Sequence, residues 1–443
     1  MPGALMTDLY ELNMASSYLR RGMTGPATFS LYIRHLPPER GFLVAAGLEA
    51  CLNALETFSF DEDELGYLRE MGFSERDIEG FRGLRFDGEV WAVTEGRILH
   101  ADEPIMEITA SLPVAQLVET LLLNQVTLHT TVASKAARFR LAASGKDLVD
   151  FAFRRTHGVE AAMAVARASA IVGFTATSNV EAARRYGLDV AGTMAHSFIE
   201  AFPSELEAFR AFAKDHPDLT TFLVDTYDTL NGVRNAIAVV KELGLTGKIG
   251  VRLDSGDLGD LARKTRSLLD AAGLPDARIF ASGGLDEHEV AELVRAGVPV
   301  DAFGIGTQMG VSADAPFVDS VYKLVETQGR PVLKLSAGKG TAPGPKQVWR
   351  GAGGDVLSLR DEPGRTDGDE PMLEAVMRDG VRTSSPPSID EMRARFEADL
   401  AVLPTGAELL KHAQPVVVRH SDALVALTAN TREDALKHAG VTT

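Results

Sequence analysis

His196 is the residue with the most chemistry open to it. It lies in Asp189-Val-Ala-Gly-Thr-Met-Ala-His-Ser-Phe198, which reads as a short apolar strand running out through Gly192-Thr193 and presenting His196 and Ser197. A neutral imidazole can act as a nucleophile or move a proton near neutral pH. The same ring could do no more than satisfy a loop. Asp225, Asp254 and Gly283 follow His196 at steps of 29 residues. The two carboxylates could hold sugar hydroxyls or a metal, or could cap the helices after them. Arg154, in Phe153-Arg-Arg-Thr-His-Gly158, and Arg252, in Val251-Arg-Leu-Asp-Ser-Gly-Asp257, place guanidinium groups at strand ends. Such groups capture carboxylates and phosphates with two parallel hydrogen bonds. An ion pair within the chain is the competing use of Arg252 and Asp254.

Glycines supply the other half of an anion site. Ser282-Gly283-Gly284 and Phe303-Gly304-Ile305-Gly306-Thr307 follow two consecutive late strands. Loops of this kind let backbone N–H groups approach an anion, and paired loops after late strands hold phosphate in many barrels. Read singly, they are two tight turns. The chain lacks a Ser-His-Asp signature, a cluster of metal-ligand histidines, a nucleotide P-loop and the GxGxxG fingerprint of dinucleotide folds.

Bulk composition narrows the classes. A net charge of −17 argues against a nucleic-acid binder, because a phosphate backbone requires a basic face. It also means that any anionic substrate needs locally concentrated arginine and lysine. The single Cys51 forbids an internal disulfide and a zinc ribbon, and suits a small buried residue. The first residues lack a secretory pattern, and no run of about 18 uncharged apolar residues exists to span a membrane. A cytoplasmic location follows as the expectation. With 443 residues, 45% of them hydrophobic, the chain can bury a large core in two or three domains.

The elements that must position these residues alternate between strand and helix from Asp150 onward. Strand ends are expected near Arg154, Thr177, Thr193, Asp225, Asp254, Ser282 and Gly304, with helices over Thr229–Leu243, 258–272 and 287–296. Ser204 with Glu207 marks the start of another helix. A 29-residue step is the length of a βα unit, so this segment resembles an α/β barrel, with a doubly wound open sheet as the competing architecture. Before it, a helix near Thr7–Met14 opens with a threonine cap and carries Tyr10 on its stripe; Tyr10 is either core or a stacking surface. A strand over 27–33, a helix over 47–58 and a small antiparallel sheet over 89–109 follow. A long helix begins after Pro113 and continues toward Lys135 and Arg138, which a plain reading leaves as solvated charges. After Pro316 strands return at 320–326, 331–335, 347–350 and 355–359, then a surface loop over 360–370, a strand near 415–419 and a helix near 431–438. The expected domains are 1–112, 113–315, and 316–443 completing the first.

Taken together, Thr7-Asp-Leu-Tyr-Glu-Leu12, Phe153-Arg-Arg155, Thr177-Ser-Asn179, Gly192-Thr-Met-Ala-His-Ser197, Val251-Arg-Leu-Asp-Ser-Gly-Asp257 and Phe303-Gly-Ile-Gly-Thr307 resemble the nicotinate phosphoribosyltransferase family. Lys334-Leu-Ser336, Lys339, Pro343-Gly344 and Lys346-Gln-Val348 also fit. The resemblance implies a type II phosphoribosyltransferase fold, an α/β sandwich plus an irregular α/β barrel, as a homodimer. It implies an ATP-coupled ligase of NAD salvage that makes nicotinate mononucleotide and pyrophosphate from nicotinate and 5-phosphoribosyl 1-pyrophosphate, with Mg²⁺. His196 would be phosphorylated by ATP. Tyr10 would stack on the pyridine ring, Thr193 and Arg252 would contact nicotinate, and Gly306 with Thr307 would hold the ribose 5-phosphate. Arg154, Ser197 and Gly284 would complete a pocket to which Asp225, Asp254, Gly283 and Gly304 also contribute. The chain departs from the family pattern at Thr156-His157 and at Ser282-Gly-Gly284.

Overall fold

The computed structural model describes residues 3–336 and 340–439; Lys339, one of the family-like residues, lies outside them. The chain divides into one compact unit of residues 1–131 and 317–443 and another of 132–316. The division falls inside a helix, Glu119–Ala143.

The first unit is built on a seven-stranded sheet in the order 330–331, 320–327, 26–33, 104–111, 89–93, 373–378, 381–382. Pro26–Ile33 is the antiparallel neighbour of both Ser320–Thr327 and Pro104–Ser111, so the tail supplies four of the seven strands. Leu12, Phe29, Leu31, Phe81, Ile108 and Tyr322 belong to the buried core beneath it. Burying a charge here requires partners. Glu107, fully buried, is ion-paired with Lys346 Nζ at 3.1 Å and accepts from Arg360. Arg97 and Arg350 both reach Asp399 at 2.9 Å. These contacts tie the tail to the N-terminal strands. The first helix, Leu9–Arg20, corrects one expectation. Its N-cap is Asp8, and the Thr7 hydroxyl donates to the Glu11 carboxylate instead of capping. The strand expected over 331–335 is only Arg330–Pro331, and the last strand is only Arg419–His420. The final helix starts earlier than expected, at Asp422, with Ser421 as its cap.

The second unit carries a parallel sheet of β1 (Asp147–Asp150), β2 (Ala176–Thr177), β3 (Leu219–Leu223), β4 (Lys248–Leu253), β5 (Arg278–Ala281) and β6 (Ala302–Ile305). Their order is β2-β1-β6-β5-β4-β3, a linear chain of pairings that gives a curled half-barrel. The helices are α1 (Glu119–Ala143), α2 (Val159–Ile171), α3 (Val180–Tyr186), α4 (His196–Glu200), α5 (Glu205–Asp215), α6 (Thr229–Leu243), α7 (Leu258–Ala271), α8 (Glu287–Arg295) and α9 (Thr307–Gly310). Side-chain oxygens of Ser204, Asp228, Asp257 and Asp286 accept backbone N–H groups at the starts of α5 to α8, which fixes where each strand-end loop stops.

Two strand expectations fail. No strand ends at Thr193: Val190 forms a single bridge to Thr177 and the chain then leaves the sheet until α4. Its neighbour β2 is only two residues long and offers no ladder to extend. The strand expected to end near Arg154 stops at Asp150, whose carboxylate accepts from Ala152 N at 2.8 Å and turns residues 153–155 into a short 3₁₀ helix. Lys135 and Arg138, read as solvated, are both buried on α1 and paired with Glu287.

Candidate active site

The strand ends of the second unit converge on Asp254. It directly follows β4 and carries two kinds of contact. Its Oδ1 accepts from Arg252 Nη2 at 2.6 Å and from the Ser282 hydroxyl. Its Oδ2 lies 3.9 Å from His196 Nε2. Asp254 continues the line of β4 two residues after Arg252, so the two side chains project to the same side, which is why they can pair.

Arg252 is held on three sides. Nε donates to Ser282 Oγ at 2.8 Å, Nη1 to Thr193 Oγ1 at 3.2 Å and Nη2 to Asp254. A guanidinium has five N–H donors, so these bonds fix its plane and leave two for a ligand. Its charge sits 5.2 Å over the face of Phe151, a cation–π contact that further limits its rotation. Only 11% of the side chain is exposed.

His196 is the first residue of α4 and is half-buried. Its Nδ1 lies 3.1 Å from Thr226 Oγ1. With the proton on Nδ1, donated to that hydroxyl, Nε2 keeps its lone pair free for an electrophile. Asp225, just beyond β3, accepts from Ser255 Oγ at 2.5 Å through Oδ2, while its buried Oδ1 has no hydrogen-bond partner.

The glycines divide by role. At Gly283, φ is +109° and a Cβ would fall on the carbonyl oxygen of Asp254; at Gly284, φ is +82° and the space is open. That pair brings two consecutive amides past the end of β4 in a conformation L side chains resist. Gly304 is buried, and a Cβ there would stand 2.7 Å from both the Phe151 and Phe280 rings. Gly306 leads into α9, where Thr307 is exposed.

Thus the structure brings together Thr193, His196, Arg252, Asp254 and Gly283, with Asp225 on the adjacent strand end. Arg154, in the 3₁₀ turn after β1, and Ser197, the second residue of α4, are exposed. Tyr10 stands in the other unit, 46% exposed, its phenol held neutral by burial and by Glu119 and Glu11. Thr156, a departure from the family pattern, closes the turn after the arginines by donating to Phe153 O at 2.9 Å. Sequence reading missed Phe151, Thr226 and Ser255 as neighbours of the site. Each lies one residue beyond a strand end or an already chosen aspartate, the signal that could have found them. Asp150 was also missed; buried, its carboxyl raised by that burial, it accepts from Thr177 Oγ1 at 2.7 Å and locks β1 to β2.

Likeness to known proteins runs through both units. Residues 5–127 match the model of the nicotinate phosphoribosyltransferase N-terminal domain, and residues 147–352 that of the nicotinate phosphoribosyltransferase family. The chain is 45% identical to nicotinate phosphoribosyltransferase pncB2 of Mycobacterium tuberculosis, over 97% of this chain and 94% of that protein. It is 44% identical to nicotinate phosphoribosyltransferase of Bacillus subtilis, over 81% and 76% respectively. Among solved structures, human nicotinic acid phosphoribosyltransferase superposes with a TM-score of 0.86 at 29% identity, covering 96% of this chain and 99% of that one. Nicotinate-nucleotide pyrophosphorylase from Pyrococcus furiosus gives 0.75 at 25% identity, covering 90% and 95%.

Proposed function

The chain belongs to the nicotinate phosphoribosyltransferase family, and we propose that it converts nicotinate and 5-phosphoribosyl 1-pyrophosphate to nicotinate mononucleotide and pyrophosphate, coupled to ATP hydrolysis, in cytoplasmic NAD salvage. The observation that carries the substrate choice is Arg252, fixed by Thr193, Asp254 and Ser282 with donors left over. A carboxylate satisfies such a group; a neutral amide leaves it short of an acceptor. Tyr10, with its exposed ring, is assigned to one face of the pyridine, contributed from the partner in a homodimer.

The pyridine nitrogen attacks the anomeric carbon as the bond to pyrophosphate breaks. The charge that develops on the leaving group needs stabilisation more than the reaction needs a base. Arg154, and the amides of Gly283, Gly284, Gly306 and Thr307, are assigned to the substrate's phosphates, the last two to the ribose 5-phosphate. Ser197 completes the pocket. Mg²⁺ suits the donor set, because this ion takes one or two carboxylates and completes its shell with water and substrate phosphate. The unpartnered Oδ1 of Asp225 would hold it, with Asp254 nearby on the next strand, and it would neutralise pyrophosphate charge. Among the described residues no group of three or more side chains forms a protein-only metal cage.

His196 Nε2 is assigned as the nucleophile toward the γ-phosphorus of ATP. ADP leaves, and the phosphohistidine is hydrolysed later in the cycle, so the coupled reaction is divided into two steps. Turnover on nicotinate and nicotinamide at equal 5-phosphoribosyl 1-pyrophosphate tests the reading. Nicotinate is expected to be favoured by at least about 100-fold in kcat/KM, the order expected when donors of a buried guanidinium are left without an acceptor. Preference for the amide, or turnover of a sugar phosphate alone without ATP, would overturn it.

A further inference from the structure

We propose that Lys135 is a positioning residue that sets the two phosphate-gathering loops against each other. It stands on α1, 2% exposed, a burial that an ammonium tolerates only with partners. Its Nζ donates to Glu287 at 2.5 Å and to Asp314 at 2.8 Å. Glu287 is the first residue of α8, immediately beyond the loop carrying Gly283 and Gly284. Asp314 follows α9, the short helix that opens with Thr307. One cation on a rigid helix therefore grips the far end of both glycine loops. Arg138, one turn along α1, adds a bond from Nε to Glu287 at 2.7 Å. Burial alone would raise the Glu287 carboxyl, but Lys135 and Arg138 reverse this and hold it below the usual range, so Glu287 stays an anion at neutral pH.

A core requirement alone could be met by an apolar side chain, and that is often at least as stable as a buried ion pair. What an apolar residue cannot do is fix two loops at once by directional bonds. The inference rests on the reading that these loops hold the phosphates of 5-phosphoribosyl 1-pyrophosphate. A phosphate bound by amides of both loops feels any shift between them, because misplacement on the ångström scale is costly. Of the three groups that hold Arg252 for nicotinate, only Ser282 belongs to a clamped loop, while Thr193 and Asp254 hang from other segments. Loosening the clamp should therefore act far more on one substrate than on the other.

The test compares K135M, K135R and D314N with the full-length wild type by steady-state kinetics, with circular dichroism and Tm measured alongside. K135M is expected to raise KM for 5-phosphoribosyl 1-pyrophosphate by about tenfold or more and to leave KM for nicotinate within about twofold. K135R, which keeps the charge and can span two carboxylates, is expected to restore most of the loss. D314N removes the charge that holds the second loop to Lys135, at a partner 33% exposed, and should give an intermediate rise even if K135M does not fold. An unchanged KM for 5-phosphoribosyl 1-pyrophosphate in D314N and K135M overturns the inference, as does an equal rise for both substrates. Calorimetric titration with 5-phosphoribosyl 1-pyrophosphate, no base present, repeats the comparison without turnover. A wild type inert toward nicotinate would then count against the proposed reaction, while the titration still decides the role of Lys135.

Discussion

Asp254 joins the two residues on which the proposed chemistry turns, with one carboxylate oxygen committed to Arg252 and the other facing His196. The arrangement makes Arg252 hard to replace. Lysine keeps the charge but provides no plane and no fork to meet Thr193, Ser282 and Asp254 together. R252K should lower kcat/KM for nicotinate by about 10- to 100-fold, roughly 1.4–2.7 kcal/mol of transition-state stabilisation, and erode discrimination against nicotinamide. Kinetics with both bases measure this directly. Equal losses on both would show that the guanidinium does not read the carboxylate. Thr226→Val removes the hydroxyl that orients the imbidazole ring through Nδ1. It should reduce ATP-stimulated turnover more than it alters KM for nicotinate, which a comparison of rates with and without ATP would reveal.

At the scale of elements, the glycine loop after β5 is the sharpest constraint. G283A puts a methyl onto the Asp254 carbonyl at a φ of +109°, so both the loop and the strand end must move. A loss of more than about 1 kcal/mol in stability is expected, with a larger fall in activity, because alanine at positive φ is strained even in open space. Chemical denaturation and turnover of this variant test it, and a stable, active G283A would show that the loop tolerates displacement. Much of this layer was legible, because caps and βα spacing are local properties: Ser204, the helix over Thr229–Leu243 and the strand ends at 225, 254 and 282 need only neighbours in sequence. What sequence could not convey was non-local. The segment before His196 reads as a strand by composition, yet its partner β2 is too short to receive it. Lys135 reads as a surface charge because its carboxylate partner lies 152 residues away along the chain. For the same reason Gly304 reads as an anion loop, while the rings of Phe151 and Phe280 that press on it are invisible to spacing.

At the scale of the whole molecule, the junction at residues 131–132 leaves no trace in the sequence because a continuous helix runs through it. Most of the first unit's sheet comes from the tail, and the ions that fasten the tail carry a pH signature. His100 is buried near Asp355 and Arg350, and burial, then Arg350, push its imidazole down to about 4. Its contribution is complete above the unfolded value of about 6.5 and is lost as pH falls toward 4, since the unfolded chain takes the proton first. Between pH 7 and 5 this amounts to about 2 kcal/mol. Glu103, raised by burial and by Asp355, works in the opposite direction, its contribution fading as pH rises. The wild type should therefore lose more stability than H100Q over that interval, as denaturation at the two pH values would show; parallel losses would mean His100 does not titrate as its burial requires. A homodimer that lends Tyr10 across its interface predicts complementation. Mixed Y10A and H196A subunits, each inactive alone, should regain up to about a quarter of wild-type turnover, because half of the randomly formed dimers then hold one intact site. The most direct test of all is to incubate the protein with radiolabelled ATP and Mg²⁺, digest it, and map the acid-labile phosphate. Label on His196, absent from H196A and discharged when nicotinate and 5-phosphoribosyl 1-pyrophosphate are added, is the expected result; an unlabelled His196 in an enzyme whose turnover still consumes ATP would contradict it.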